Sequence, residues 1–299
     1  MPGSRREDLF DQTFMSRLQQ LAILAKRLAV HGGAGARRSR RLGDGLEFAD
    51  HRGYAPGDDI RFIDWPYYAR MEKLLLRLFH EHSEAEVALL LDVSGSMAAG
   101  GDAKFHYALR TAAALAYVSM SSLDRVSIVP FAEDLRERLR TGRNRRLILD
   151  VLDFLAGLES GGRSELARAA DRLVRTTSAG GTVIVVSDLL DCEDQLSDAL
   201  ARLKLGGWDP VVVHLFSPED ADPAVRGPVL LEHAETDQKL TVDATEDVVQ
   251  SYRQQWERFC EGCRRTARSR GAVYVAARTD QPFETLVLQT LRQAGVVEG

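Results

Sequence analysis

Two apolar runs in this chain stop abruptly at carboxylates. Val87-Ala88-Leu89-Leu90-Leu91 ends at Asp92, and Thr182-Val183-Ile184-Val185-Val186 ends at Ser187-Asp188. Short continuous apolar runs of this kind, without polar alternation, read as strands buried on both faces. Between and around them the period changes. Phe14, Leu18, Leu21, Ile23, Leu24 and Leu28 recur near helical spacing and predict an amphipathic helix from about Phe10 to Val30. Further helices are expected at Phe105–Ser121, Arg145–Leu158 and Glu165–Thr177, then ending at Leu203, ending at Arg268, and after Pro282. Strands are expected at Lys73–His82, Arg125–Phe131, Pro210–Phe216 and Ala272–Ala276, with a charged edge hairpin at Leu135–Leu139 and a hairpin-like insertion at Val229–Val242. Strands alternating with helices predict an α/β fold, a doubly wound and mainly parallel sheet flanked by helices. Residues 1–84 would form an N-terminal α+β extension. Residues 85–299 would form the α/β domain, with the hairpin insertion near 227–243.

In an open sheet of this kind, ligands collect beyond the carboxyl ends of the strands, where the connection direction reverses. Asp92 and Asp188 would end neighbouring strands there. The loop Asp92-Val93-Ser94-Gly95-Ser96-Met97 offers one carboxylate and two hydroxyls within five residues. A glycine turn before a helix, Gly161-Gly162-Arg163-Ser164-Glu165-Leu166, turns Ser164 towards the same rim. Oxygen-only donor sets suit hard divalent cations such as Mg²⁺, which keep some water. The same residue types also cap helices, so the six-residue loop alone reads equally as an N-cap.

With the second carboxylate and the intervening hydroxyl, the pattern resembles the von Willebrand factor A domain and its metal-ion-dependent adhesion site. That family carries Asp-x-Ser-x-Ser, a Thr in a second loop and an Asp at the end of a later strand. The resemblance implies a Rossmann-like sheet and metal ligands Asp92, Ser94, Ser96, Ser164 and Asp188. The second-loop hydroxyl falls on Ser164, with the neighbouring Arg163 as the less favoured match. Serine keeps the hydroxyl but lacks the methyl that stiffens Thr. The implied ion is Mg²⁺, with Mn²⁺ or Ca²⁺ as alternatives. One position would stay open for a Glu or Asp from a protein partner.

A second string lies upstream. It comprises Gly43-Asp44-Gly45-Leu46-Glu47-Phe48, Arg52-Gly53-Tyr54-Ala55-Pro56-Gly57-Asp58-Asp59-Ile60-Arg61-Phe62-Ile63-Asp64-Trp65 and Ala69-Arg70. It resembles the signature of the bacterial "domain of unknown function 58" family, where it precedes a von Willebrand-type domain. That resemblance implies association with a MoxR-type AAA+ ATPase. Read physically, Pro56-Gly57 is a turn, and Asp58 and Asp59 would cap the element after it. Arg52, Arg61 and Arg70 alternate with Asp58, Asp59 and Asp64, so ion pairs would knit the segment onto the domain, anchored by Tyr54, Phe62, Ile63 and Trp65.

Composition narrows the function. The chain has 299 residues, 44% apolar and 28% charged, with net charge −5, which gives no general nucleic-acid footprint. The basic run Arg37–Arg41 reads as a solvated loop, with contact to phosphate or an anionic membrane as the alternative. No apolar stretch approaches the roughly 18 residues of a spanning helix, and no targeting segment is visible. Three cysteines without a paired framework point to the reducing cytoplasm. Cys260-Glu261-Gly262-Cys263 lies in a helical pattern without the second pair a structural zinc site needs. His80 and His82 would share one strand face, and Asp191–Asp194 would cap the following helix. No P-loop, Gly-x-Ser-x-Gly or dinucleotide fingerprint occurs. The expectation is a non-enzymatic adaptor or scaffold that docks a partner through a Mg²⁺-dependent site. A Mg²⁺-dependent hydrolase using the same site is the alternative.

Overall fold

The computed structural model describes residues 2–31, 42–43, 47–56, 58–80, 86–121, 124–141, 147–177, 180–190, 193–236 and 238–293. Arg37–Arg41, His82, Asp191 and Cys192, on which the sequence placed readings, lie outside the described residues. Helices α1 (Pro2–Leu9) and α2 (Gln12–His31) come first. Strands β1 (Leu42–Gly43), β2 (Glu47–Gly53) and β3 (Leu75–His80) form an antiparallel sheet of order β1-β3-β2, with α3 (Trp65–Met71) between β2 and β3. Then come β4 (Glu86–Asp92), α4 (Ala103–Ser121), β5 (Arg125–Phe131), β6 (Leu139–Thr141), α5 (Ile148–Ala156), α6 (Leu166–Thr176), β7 (Gly181–Ser187) and α7 (Glu193–Leu205). The remainder is β8 (Trp208–Phe216), α8 (Pro218–Ala221), β9 (Gly227–Glu232), β10 (Lys239–Ala244), α9 (Glu246–Ser269), β11 (Val273–Arg278) and α10 (Phe283–Gln293).

The central sheet has the order β11-β8-β7-β4-β5-β6, parallel throughout except for the antiparallel edge strand β6. This is the doubly wound α/β sheet expected from the sequence. The unbroken apolar run of β4 is used on both faces. Val87, Leu89 and Leu91 join one core layer with α4, α5 and α10, while Ala88 and Leu90 join the other with α6 and α7. Each fully buried leucine contributes roughly 2 kcal/mol from water exclusion alone. The first layer also takes in the N-terminal helices through Leu9, Phe10, Phe14, Leu18, Leu21, Ala22 and Ala25. The rings of Phe14 and Phe283 lie 5.1 Å apart. Of the predicted helical stripe, Ile23 and Leu24 are exposed, because at 3.6 residues per turn they point away from the face that gathers 14, 18, 21, 22 and 25.

The upstream motif differs from expectation. Among the described residues, ion pairs form inside the segment itself: Arg52 pairs with Asp58 (2.9 Å) and Arg61 with Asp59 (2.6 Å). Asp59 caps a short 3-10 turn, Ile60–Phe62, and Asp64 caps α3 by accepting from the Tyr67 N–H (2.9 Å) while pairing with His51 (2.9 Å). Arg70 donates instead to the Pro66 carbonyl. Of the four proposed anchors only Ile63 is buried, and Trp65 is 55% exposed.

Candidate metal centre

The strand order places the site. β4 lies between β5, which follows it in the chain, and β7, which comes from beyond two helices, so the connections leave in opposite directions at this point. The parallel register sets Leu91 beside Val186, and Asp92 and Asp188 emerge together at the carboxyl edge. Ser94 begins a short 3-10 turn, Gly95–Ala98, that holds Ser96 over the edge. The Ser164 loop is tied down from both sides. Gly161 N–H donates to the Val93 carbonyl (2.8 Å), and Gly95 N–H donates to the Gly162 carbonyl (2.9 Å). Arg136 holds the Glu159 and Gly161 carbonyls, at 2.7 Å each. Gly162 has φ +84°, a left-handed conformation that L side chains rarely adopt, which is what turns the chain back towards the rim.

All five predicted side chains meet there, and each is at most 3% exposed. Asp92 Oδ2 accepts from Ser164 Oγ (2.9 Å) and Ser187 Oγ (2.7 Å), and Asp92 Oδ1 accepts from the Ser94 N–H (2.9 Å). Ser94 Oγ and Ser96 Oγ lie 3.0 Å apart, one donating to the other, and Ser96 Oγ lies within 3.2 Å of Asp188 Oδ1. Arg163, the alternative to Ser164, is exposed. The turn after β7 is made locally. Leu190 N–H donates to Asp188 Oδ1 (3.1 Å), and Leu189 N–H donates to Ser187 Oγ (2.9 Å). Leu189 is held at φ +57°, a strained conformation that its burial and this hydrogen bond over-determine.

Three participants were not singled out from the sequence. Ser187 differs little from any strand-end serine until the sheet sets it beside Asp92. Lys104, only 2% exposed, donates to Asp188 Oδ2 (2.7 Å) and to Asp220 Oδ2 (3.2 Å). Its signal was a lone lysine opening the most apolar long helix in the chain. Asp220 belongs to the capping box of α8. Burial raises the Asp188 pKa to about 6, against the pull of Lys104. Burial also raises that of Asp92, against its hydrogen bonds from Ser187, Ser94 and Ser164. Burial pulls the Lys104 ammonium down, but Asp188 and Asp220 more than offset this and its pKa ends up raised.

The donor set tests whether a metal would fit. Among the described residues no three His, Cys, Asp or Glu side chains gather to hold an ion, so a metal here would rely on hydroxyls. Lys104 balances Asp188, but no basic side chain among the described residues pairs with Asp92. A buried carboxylate surrounded only by neutral donors is costly unless a cation or a proton joins it. Two carboxylates and three hydroxyls, all oxygen, fit a hard divalent cation.

Residues 50–261 match the family described as protein of unknown function DUF58. The chain belongs to that family. Among curated proteins this DUF58 chain is similar to uncharacterized proteins of Mycobacterium tuberculosis and Mycobacterium bovis, 25% identical over the whole chain and 96% of each relative. Among solved structures it is similar to an aerotolerance-related membrane protein from Bacteroides fragilis (15% identity, 71% of this chain and 100% of that one, TM-score 0.44). It is also similar to BatB from Bacteroides thetaiotaomicron (15%, 71% and 99%, TM-score 0.42). The von Willebrand factor domain of the pilus tip protein Mfa5 from Porphyromonas gingivalis matches at 12% identity, covering 72% and 97%, with TM-score 0.35. In this DUF58 chain no described helix is long and apolar enough to cross a membrane.

Proposed function

We propose that this protein is a non-enzymatic adaptor that docks a protein partner through a Mg²⁺-dependent, adhesion-type site. The observation that carries this reading is the convergence of Asp92, Ser94, Ser96, Ser164 and Asp188 from three separate loops onto one buried rim. In this reading Asp92, Ser94, Ser96 and Ser164 hold the ion, and Asp188 braces it while neutralised in part by Lys104. The ion, when bound, supplies a Lewis-acidic point for a carboxylate from the partner. The chain's own residues supply the rigid, water-poor frame around it. The partner class proposed is a MoxR-type AAA+ ATPase, as the family resemblance implies, in the cytoplasm. Its ATP hydrolysis would complement a chain that lacks a P-loop.

The test is capture from native lysate by wild type and Asp92→Ala, each with Mg²⁺ and with EDTA. The expected result is an AAA+ ATPase recovered only by wild type with Mg²⁺. Recovery of the same partners in all four samples removes the site from docking. Mg²⁺-dependent turnover of a phosphoester by purified protein alone, lost in Asp92→Ala, replaces the adaptor reading with the hydrolase.

A further inference from the structure

The hairpin β9–β10 reaches the metal rim from outside the sheet. Its strands pair in register, Gly227 with Ala244 through Glu232 with Lys239, and Leu230, Leu231 and Leu240 are exposed along it. Its tip is the part that is docked. His233 N–H donates to the Gln238 carbonyl (2.9 Å), and Glu235 N–H donates to His233 Nδ1 (3.1 Å), which turns Glu235 away from the strands. Glu235 Oε2 accepts from the backbone N–H of Ser164 (3.0 Å). Its other oxygen, Oε1, is buried with no hydrogen-bond partner.

The tip also fits closely against Gly95. A Cβ added to Gly95 would lie 2.5 Å from the carbonyl oxygen of Ala234 and 3.6 Å from Glu235 Cγ. Gly95 stands between Ser94 and Ser96, so the Asp-x-Ser-x-Ser loop can carry this tip only with glycine at that position. A buried carboxylate oxygen left without a donor is unfavourable, more so when charged, unless something pairs with it. Glu235 Oε1 therefore stands unpaired over a loop whose own ligands want a cation.

From this juxtaposition we infer that Glu235 is an internal competitor at the metal rim. It holds, from within the same chain, the approach that an acidic partner residue would use, and the hairpin must swing out before a partner docks. The inference rests on the metal-site reading and deepens it. Among the described residues, the contacts that bring the tip against the Ser164 and Gly95 loops are the Ser164 hydrogen bond and the Gly95 packing, and displacement of the tip has to break both.

The probe is Mn²⁺ alone, read by water-proton relaxation together with its affinity, in wild type, Glu235→Ala, Gly95→Ala and Asp92→Asn. The wild-type rim, closed by the tip, should show little exchange of metal-bound water. Glu235→Ala should raise the relaxation enhancement by about one exchangeable water and weaken Mn²⁺ binding roughly tenfold, the scale of lost supporting ligation. Gly95→Ala removes no ligand but pushes against Ala234, and should raise the enhancement in the same direction. Relaxation and affinity unchanged in Glu235→Ala overturn the inference and leave the metal site standing. Undiminished Mn²⁺ binding in Asp92→Asn overturns the metal site itself, and the inference with it.

Discussion

Two charged motifs in this chain are built in opposite ways. At the carboxyl edge of the sheet, Asp92, Ser96, Lys104, Ser164, Ser187 and Asp188 come from strand ends, loops and a helix start up to about a hundred residues apart and are almost wholly buried. In the upstream segment, the pairs Arg52–Asp58 and Arg61–Asp59 span six and two residues, with arginine side chains 49% and 79% exposed. Exposed pairs gain little, because water screens them and two long side chains lose freedom. Buried ones are held in place by the fold and carry the full cost of any lost partner. A conspicuous string of charges is therefore a poor guide to where electrostatic energy resides.

The comparison is broken most severely at Lys104. In EDTA, Lys104→Met strips Asp188 of its cation and should cost about 3 kcal/mol of folding stability by urea denaturation. Asp188→Asn in the Lys104→Met background should recover most of the loss. A cost under about 1 kcal/mol would mean that Asp188 is already neutral or solvated. Ser187→Ala comes next, at roughly 1–3 kcal/mol, since it leaves the buried Leu189 N–H without its acceptor and Asp92 without one donor. Trp65→Ala in the exposed segment should fall within about 0.5 kcal/mol of wild type, as surface substitutions do. A larger cost in the isolated protein would mean that this segment packs against another part of the chain.

The smallest effect sharpens the reading of the Cys-x-x-Cys. Burial pushes the Cys260 thiol up to about 11, Arg264 pulling the other way, and Cys263 is fully buried on the same helix. In a Cys192→Ser background, iodoacetamide labelling at pH 8 should run roughly a hundredfold slower than for a free thiol and rise only as pH climbs towards 11, because the thiolate is the nucleophile. Fast labelling at pH 8 would reveal a reactive cysteine instead.

Much of the rim was legible because its ligands sit where a buried run ends. The runs of β4 and β7 announce central strands by themselves, and Asp92, Ser94, Ser96 and Asp188 occupy the first positions after them or within the following turn. Ser164 could be placed because Gly161 and Gly162 mark a turn before α6. The ion pairs of the upstream segment were misplaced for a related reason. Alternating Arg and Asp specify that pairs will form but not with whom, and short-range partners win when nothing buries the side chains.

Sequence alone determined the local matters: the strands, from unbroken apolar runs; the helices, from their period; and the hydroxyl and carboxylate loops, from small polar residues beyond strand ends. Only the tertiary structure decided that Lys104 faces Asp188, that Ser187 supports Asp92, that α1 and α2 complete a core layer, and that Glu235 lies against Ser164. Those contacts join residues far apart in the chain. They depend on strand order and on how loops pack across the sheet edge, and no local period or propensity encodes either.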